Sequence, residues 1–186
     1  YCLIPDIRGK LRSRTISDLT TEARRLDSEG VKELTLVAQD LLAYGIDLEK
    51  QTNLIVLLKQ LLAETDIPWI RLLYLHPARI NEELLHIMAA NPRLVPYLDI
   101  PFQHVSDHIL RLMNRPNTQA QLIELTQSIR RILPLAALRT TMMVGFPGET
   151  ENDITEMTDF LQKHHFEHLG VFAYANEEGC KAASLP

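Results

Sequence analysis

With 186 residues, 46% of them hydrophobic and 23% charged, the chain is long enough to bury a sizeable core and has an ordinary globular composition. No apolar run approaches the ~20 residues of a membrane span and no signal peptide is visible. The net charge of −5 argues against this segment alone gripping a nucleic-acid backbone. The two cysteines, Cys2 and Cys180, make no disulfide framework, which suits a reducing cytoplasm. The chain opens on Tyr1 rather than methionine and stops at Pro186 without a closing element, so it reads as a piece of something longer.

In chain order, Arg8, Lys10, Arg12 and Arg14 alternate and would form a solvated basic edge if extended. Helical spacing follows at Leu19, Ala23 and Leu26, then a first β-rich run at Leu34–Val37. Leu54, Leu57, Leu58, Leu61 and Leu62 mark a second helix before the run Trp69–Leu75, and Ile80, Leu84, Ile87 and Met88 mark a third before Tyr97–Phe102. A short helix between Ser106 and Asn114 shares the next interval with a longer one capped by Thr118 and Gln121 and carried by Leu122, Leu125, Ile129, Ile132 and Leu133. The run Leu138–Val144 precedes a glycine turn and a helix that Thr150 and Asp153 cap, with Ile154, Met157, Phe160 and Leu161 on its apolar face. A fifth run spans Leu169–Tyr174. Strands alternating with helices predict a parallel sheet covered by helices, either a partial barrel or a doubly wound sheet, in one domain without linkers.

The strand ends carry the functional signal. The first runs into Gln39 and Asp40, the second into Tyr74 and His76, the third into Gln103 and His104, the fourth into Gly145, and the fifth into Tyr174 and Asn176. In a βα barrel these ends converge on the face where active sites sit. Gly145 and Gly148 permit close backbone approach to a ligand, with Pro147 stiffening the turn between them.

His104 and His108 have the spacing of paired zinc ligands, but Val105 stands where a zinc hydrolase needs its glutamate base. No Walker lysine follows Gly148 and no G-x-G-x-x-G opens a helix. His164, His165 and His168 fall late in a helix or just past it, where partial positive charge suits the helix dipole.

Tyr1-Cys2, then Ile4-Pro5, Arg8-Gly9 and Ser13-Arg14 precede the first helix, and here the chain resembles the radical S-adenosylmethionine methylthiotransferases. Their C-x-x-x-C-x-aromatic-C loop is followed by I/V-P, R-G and S-R, so Cys2 matches the last cysteine. The resemblance continues in order through Val37 to Asp40, Tyr44 to Asp47, Trp69-Ile70-Arg71 and Tyr74 to Pro77. It then covers Asp99 to His104 with Ser106-Asp107, Leu112 to Arg115, and Gly145 to Thr150. Gln39-Asp40, Gln103-His104-Val105-Ser106 and Arg139-Thr140-Thr141 are similar to the RimO-type branch, whereas the transfer-RNA branch favours Gln-Asn, Gln-Ser-Gly-Ser and Ser-Ser-Asp there. Leu41-Leu42 departs from the small hydroxyl residues of relatives, and Cys180 lies outside the motifs.

The resemblance implies that residues 1–186 are a radical SAM core, a partial TIM-like (βα) barrel whose first strand lies upstream. Separate N-terminal cluster and C-terminal substrate-binding domains would lie outside the chain. It implies a [4Fe–4S] cluster with Cys2 as the third ligand, and S-adenosylmethionine on the fourth iron, cleaved to a radical that takes hydrogen from a substrate carbon. Gln39, Asp40, Gln103 and Gly145 would wall the S-adenosylmethionine site, with Tyr74, His76 and Arg139 contacting cofactor or substrate. The expected substrate is an aspartate of a small-subunit ribosomal protein, and an electron donor of flavodoxin-like kind is implied. The fragment alone is expected to be inactive. The alternatives are the transfer-RNA adenosine enzyme and an apo barrel serving as a scaffold.

Overall fold

The computed structural model describes residues 4–49, 51–177 and 179–185. A short helix α1 (Ile4–Arg8) leads into α2 (Ile16–Ser28), β1 (Glu33–Leu36), α3 (Leu54–Glu64), β2 (Trp69–Leu72), α4 (Glu82–Ala90) and β3 (Leu94–Asp99). Helices α5 (Asp107–Leu112) and α6 (Gln119–Ile132) precede β4 (Ala137–Val144), and α7 (Glu151–Lys163) precedes β5 (His168–Ala173). The sheet runs β1-β2-β3-β4-β5 with every pairing parallel, so each C-terminal strand end reaches the same rim. Five parallel strands with intervening helices make the partial barrel that the sequence implies.

Polar caps start the main helices. Thr15, Asn53, Asn81, Thr118 and Thr150 each accept a backbone N–H of the first turn, and Gln121 and Asp153 complete full capping boxes as expected. Alternation along the strands then sorts the two sheet faces. Ile70, Leu72, Leu94, Leu98, Leu138 and Met142 point outward and are buried under Leu58, Leu61, Leu84, Leu85, Leu122, Ile129 and Phe160 of the helices. The inward face is polar: Glu33 pairs with Arg71, whose guanidinium lies 5.2 Å over the Tyr97 ring, and Asp99 pairs with Arg139. Charge on this face is compensated within the sheet.

Two strands depart from their expected limits by more than one residue. β2 stops at Leu72 instead of Leu75 because Tyr74 takes a left-handed backbone, φ 59°, which no strand continues through. β3 starts at Leu94, ahead of Pro96, and its register with β2 shifts between Ile70 and Leu72; proline has no N–H for the ladder and is accommodated at that irregularity. Ile80 lies outside α4, at the end of a 3-10 turn, Pro77–Arg79. The basic edge is not extended either: Arg8 ends α1 and Arg14 is drawn to Asp18 and Glu22 of α2. His164 caps α7 but stacks on Phe160 at 4.6 Å, and burial beside Lys163 lowers its pKa, so it is neutral rather than a dipole-compensating cation.

Arg93 fastens the chain entering β3 to the end of α3, its Nε donating to Ile67 O at 2.8 Å, Nη1 to Leu62 O at 2.9 Å and Nη2 to Thr65 Oγ1 at 3.0 Å. A lysine keeps the charge but cannot make this fork. Arg93→Lys is expected to cost about 2 kcal/mol in urea unfolding, since two carbonyls lose charged donors in a part-buried setting.

Candidate functional site

The rim is built on backbone that few residues tolerate. Tyr74 (φ 59°) and Gln103 (φ 70°) are left-handed without being glycine, and both stand at strand ends. Such conformations cost roughly 1–3 kcal/mol and persist where the surroundings over-determine them. Here they do: Tyr74 O accepts from Leu41 N at 3.1 Å, Gln103 N donates to Thr141 O at 2.8 Å, and Met143 N donates to Gln103 O at 2.7 Å. The last two bonds make an isolated bridge that extends β3–β4 pairing past the strand's end. They hold Gln103 at the rim with its Oε1 buried and without a hydrogen-bond partner.

Next along the rim, Asp40 accepts from Leu42 N at 3.1 Å and pairs with Arg79 at 2.9 Å. His76 Nδ1 accepts from Ala78 N at 3.3 Å, and Arg115 Nη1 lies 3.4 Å from Nε2. Burial first, then the Arg115 charge, holds His76 below its ordinary value and therefore neutral. Arg115 has no carboxylate partner among the described residues, and its Nε is buried without a hydrogen bond. Sequence reading matched Arg115 only as part of a motif and gave it no role; an orphan guanidinium beside a neutral imidazole becomes visible only in three dimensions.

Gly145 (φ +75°) is exposed, and a Cβ built on it meets nothing within 4 Å. Its amide donates to Glu149 Oε2 at 2.6 Å, and Glu149 Oε1 lies 3.2 Å from His104 Nε2. His104 is fully buried, its Nδ1 accepting from Ser106 N at 2.9 Å, while His108 is exposed and contacts Gly148 O at 3.3 Å. The two histidines therefore serve separate partners. Ser106 Oγ also bonds to Asp153, tying the β3 loop to the start of α7.

Asp40, Tyr74, His76, Gln103 and Gly145 thus share the rim, and Gln39 stands exposed beside Asp40. Arg139 does not join them. It sits five residues before the end of β4, about 16 Å down the strand, with Nη1 at 3.0 and 3.1 Å from the two oxygens of Asp99. The Asp99 hydrogen bond is the main cause that raises its pKa. Cys2 lies outside the described residues. Cys180 is buried in a small second apolar cluster with Ile109, Met113, Met143, Phe146 and Ala182.

The pKa directions set a pH dependence. His76, His104 and His164 are all held below 6.5, each chiefly by burial. The unfolded chain then binds protons that the folded chain refuses, so stability is full above 6.5 and falls as pH drops toward the folded values. Lowered carboxylates such as Asp153 and Glu33 start from 3.8 and 4.5 and act only at lower pH. Urea unfolding should therefore show lower stability at pH 5.5 than at pH 7.5, and His104→Gln should reduce that difference.

The profile of the radical SAM superfamily matches residues 1–161. Among curated relatives, the ribosomal protein uS12 methylthiotransferase RimO of Desulfotalea psychrophila is 54% identical over 186 residues, covering 100% of this chain and 42% of the relative. The proteins of that name from Syntrophomonas wolfei and Pelobacter propionicus are 47% and 46% identical over the same 186 residues, with 42% and 41% of their lengths covered. The chain therefore spans about two fifths of these relatives. Among solved structures, the Escherichia coli coproporphyrinogen III oxidase HemN, described as a radical SAM enzyme, aligns with TM-score 0.65 at 19% identity over 95% of this chain and 44% of its own. The radical S-adenosylmethionine methyltransferase TsrM of Kitasatospora setae aligns with TM-score 0.66 at 16% identity over 86% of this chain and 31% of its own. At those identities the structures speak to the fold alone, whereas the profile match covers most of the chain: it belongs to the radical SAM superfamily.

Proposed function

We propose that residues 1–186 are the central core of a RimO-type methylthiotransferase, which adds a methylthio group to the β-carbon of an aspartate in the small-subunit ribosomal protein uS12. One observation carries this reading: identity of 54% to a curated uS12 methylthiotransferase over all 186 residues of the chain. Such a substrate would be met in the cytoplasm, which is the location this reading implies. No described helix is long and apolar enough to cross a membrane.

The rim residues fit S-adenosylmethionine. Its amino-acid end needs a cationic donor for its carboxylate and an acceptor for its ammonium group, and Arg115 Nε and Gln103 Oε1 are a donor and an acceptor left without partners. Gly145 leaves open ground where a flat nucleoside could approach the backbone, and Gln39, Asp40, Tyr74 and His76 stand at other strand ends of the same rim. Together with a [4Fe–4S] cluster that Cys2 would help hold, S-adenosylmethionine would supply the radical chemistry needed to take hydrogen from an unactivated carbon. This chain's own share is to bind, orient and shield: neutral His76 adds no competing positive charge to the Arg115 guanidinium, and Asp40 with Arg79 fixes the neighbouring loop. Arg139, paired with Asp99 on the inward face below the rim, could take a substrate carboxylate only by exchanging that partner.

In the full-length protein reconstituted anaerobically, we expect S-adenosylmethionine cleavage and methylthiolation of uS12, with transfer-RNA adenosine left unmodified. Cys2→Ala should abolish the cluster's visible absorbance and the cleavage; an intact, active cluster in that variant would refute the assignment. At Gly145, alanine should cost about 1 kcal/mol of stability through its positive φ, and asparagine less, because it tolerates the left-handed region. Both should weaken S-adenosylmethionine binding by about tenfold or more in equilibrium titration, about 1.4 kcal/mol. Normal binding by the folded variants would make the turn structural only.

A further inference from the structure

We propose that His104 is a positioning residue that locks the Val144–Gly145 peptide plane through Glu149, and thereby sets the wall of the S-adenosylmethionine site; this rests on the cofactor reading above. The bonds can be followed atom by atom. A fully buried imidazole needs partners for both nitrogens. Ser106 N–H occupies Nδ1, which leaves the proton on Nε2, where it is donated to Glu149 Oε1 at 3.2 Å. The Glu149 side chain is only 8% exposed, and its second oxygen accepts the Gly145 N–H at 2.6 Å. The carbonyl of that same peptide unit, Val144 O, accepts from Tyr174 N at 2.8 Å.

The peptide unit is therefore clamped at both ends. A clamp is needed because the bond precedes a glycine at φ +75°, where no side chain resists a rotation of the plane. Folding alone does not require it. Ser106 and Asp153 already join the two loops, and Thr150 with Asp153 already caps α7. What the His104–Glu149 arm adds ends on one amide, at the rim position with open space above it.

Two amide substitutions separate the halves of the imidazole. His104→Asn keeps an acceptor near Nδ1 for Ser106 but withdraws the donor to Glu149; His104→Gln keeps a donor near Nε2. Amide hydrogen exchange at Gly145 would be measured in the full-length protein, with α7 amides reporting on folding. S-adenosylmethionine Kd, KM and kcat would be measured in the cluster-loaded enzyme. His104→Asn should speed Gly145 exchange about tenfold and raise Kd and KM about tenfold, with kcat and cluster content within about twofold, as expected for losing one charge-assisted arm. His104→Gln should return both toward wild type. Wild-type exchange in His104→Asn overturns the proposal, as does faster exchange with unchanged Kd, or a His104→Gln as impaired as His104→Asn. A wild-type protein that binds no S-adenosylmethionine overturns the cofactor reading instead, and the Gly145 exchange rates then decide the clamp alone.

Discussion

Parallel pairing is the constraint from which the rest of the molecule follows. Every strand must return to the same starting end through a helix, so one sheet face has to be apolar enough to bury those helices. The same geometry delivers every strand's last residue to one rim. Period-two alternation then leaves the inward face free of packing duty, and it carries the Glu33–Arg71 and Asp99–Arg139 pairs instead of a second apolar core.

The rim uses rigidity in a way the sheet does not. Tyr74 and Gln103 are held in left-handed backbone by hydrogen bonds from neighbouring strands and loops, while buried polar side chains brace the glycine turn. Placing Gln103 and Arg115 with unpaired buried atoms would be costly in a surface with no ligand. Strain and unsatisfied polarity coincide at the rim, where Tyr74 and Gln103 are left-handed and Gln103 and Arg115 keep unpaired buried atoms.

Local sequence reported whatever depends on near neighbours. The capping boxes at Thr118 and Thr150, the five strands, the helices between them and the Gly145 turn all arise from residues within a few positions of each other. Strand limits were less legible, because Pro96 can sit in β3 only where the register shifts and Tyr74 ends β2 by its own backbone angle. Least legible were partners far apart in the chain. Arg139 and Asp99 are separated by 40 residues, and His104 and Glu149 by 45. No periodicity encodes such a pair, so Arg139 read as a cofactor or substrate contact, His104 as a strand-end residue whose zinc-like spacing lacked the glutamate, and Arg115 as part of a motif with no role of its own.

β5 has a consequence for handling the protein. Among the described residues it pairs only with β4, and Leu169, Val171 and Phe172 are 47%, 56% and 42% exposed. An unpaired row of backbone donors and acceptors beside apolar side chains is a template for another strand. Residues 1–186 produced alone would tend to associate edge to edge, and a charged residue in place of Val171 would be the first remedy for solubility.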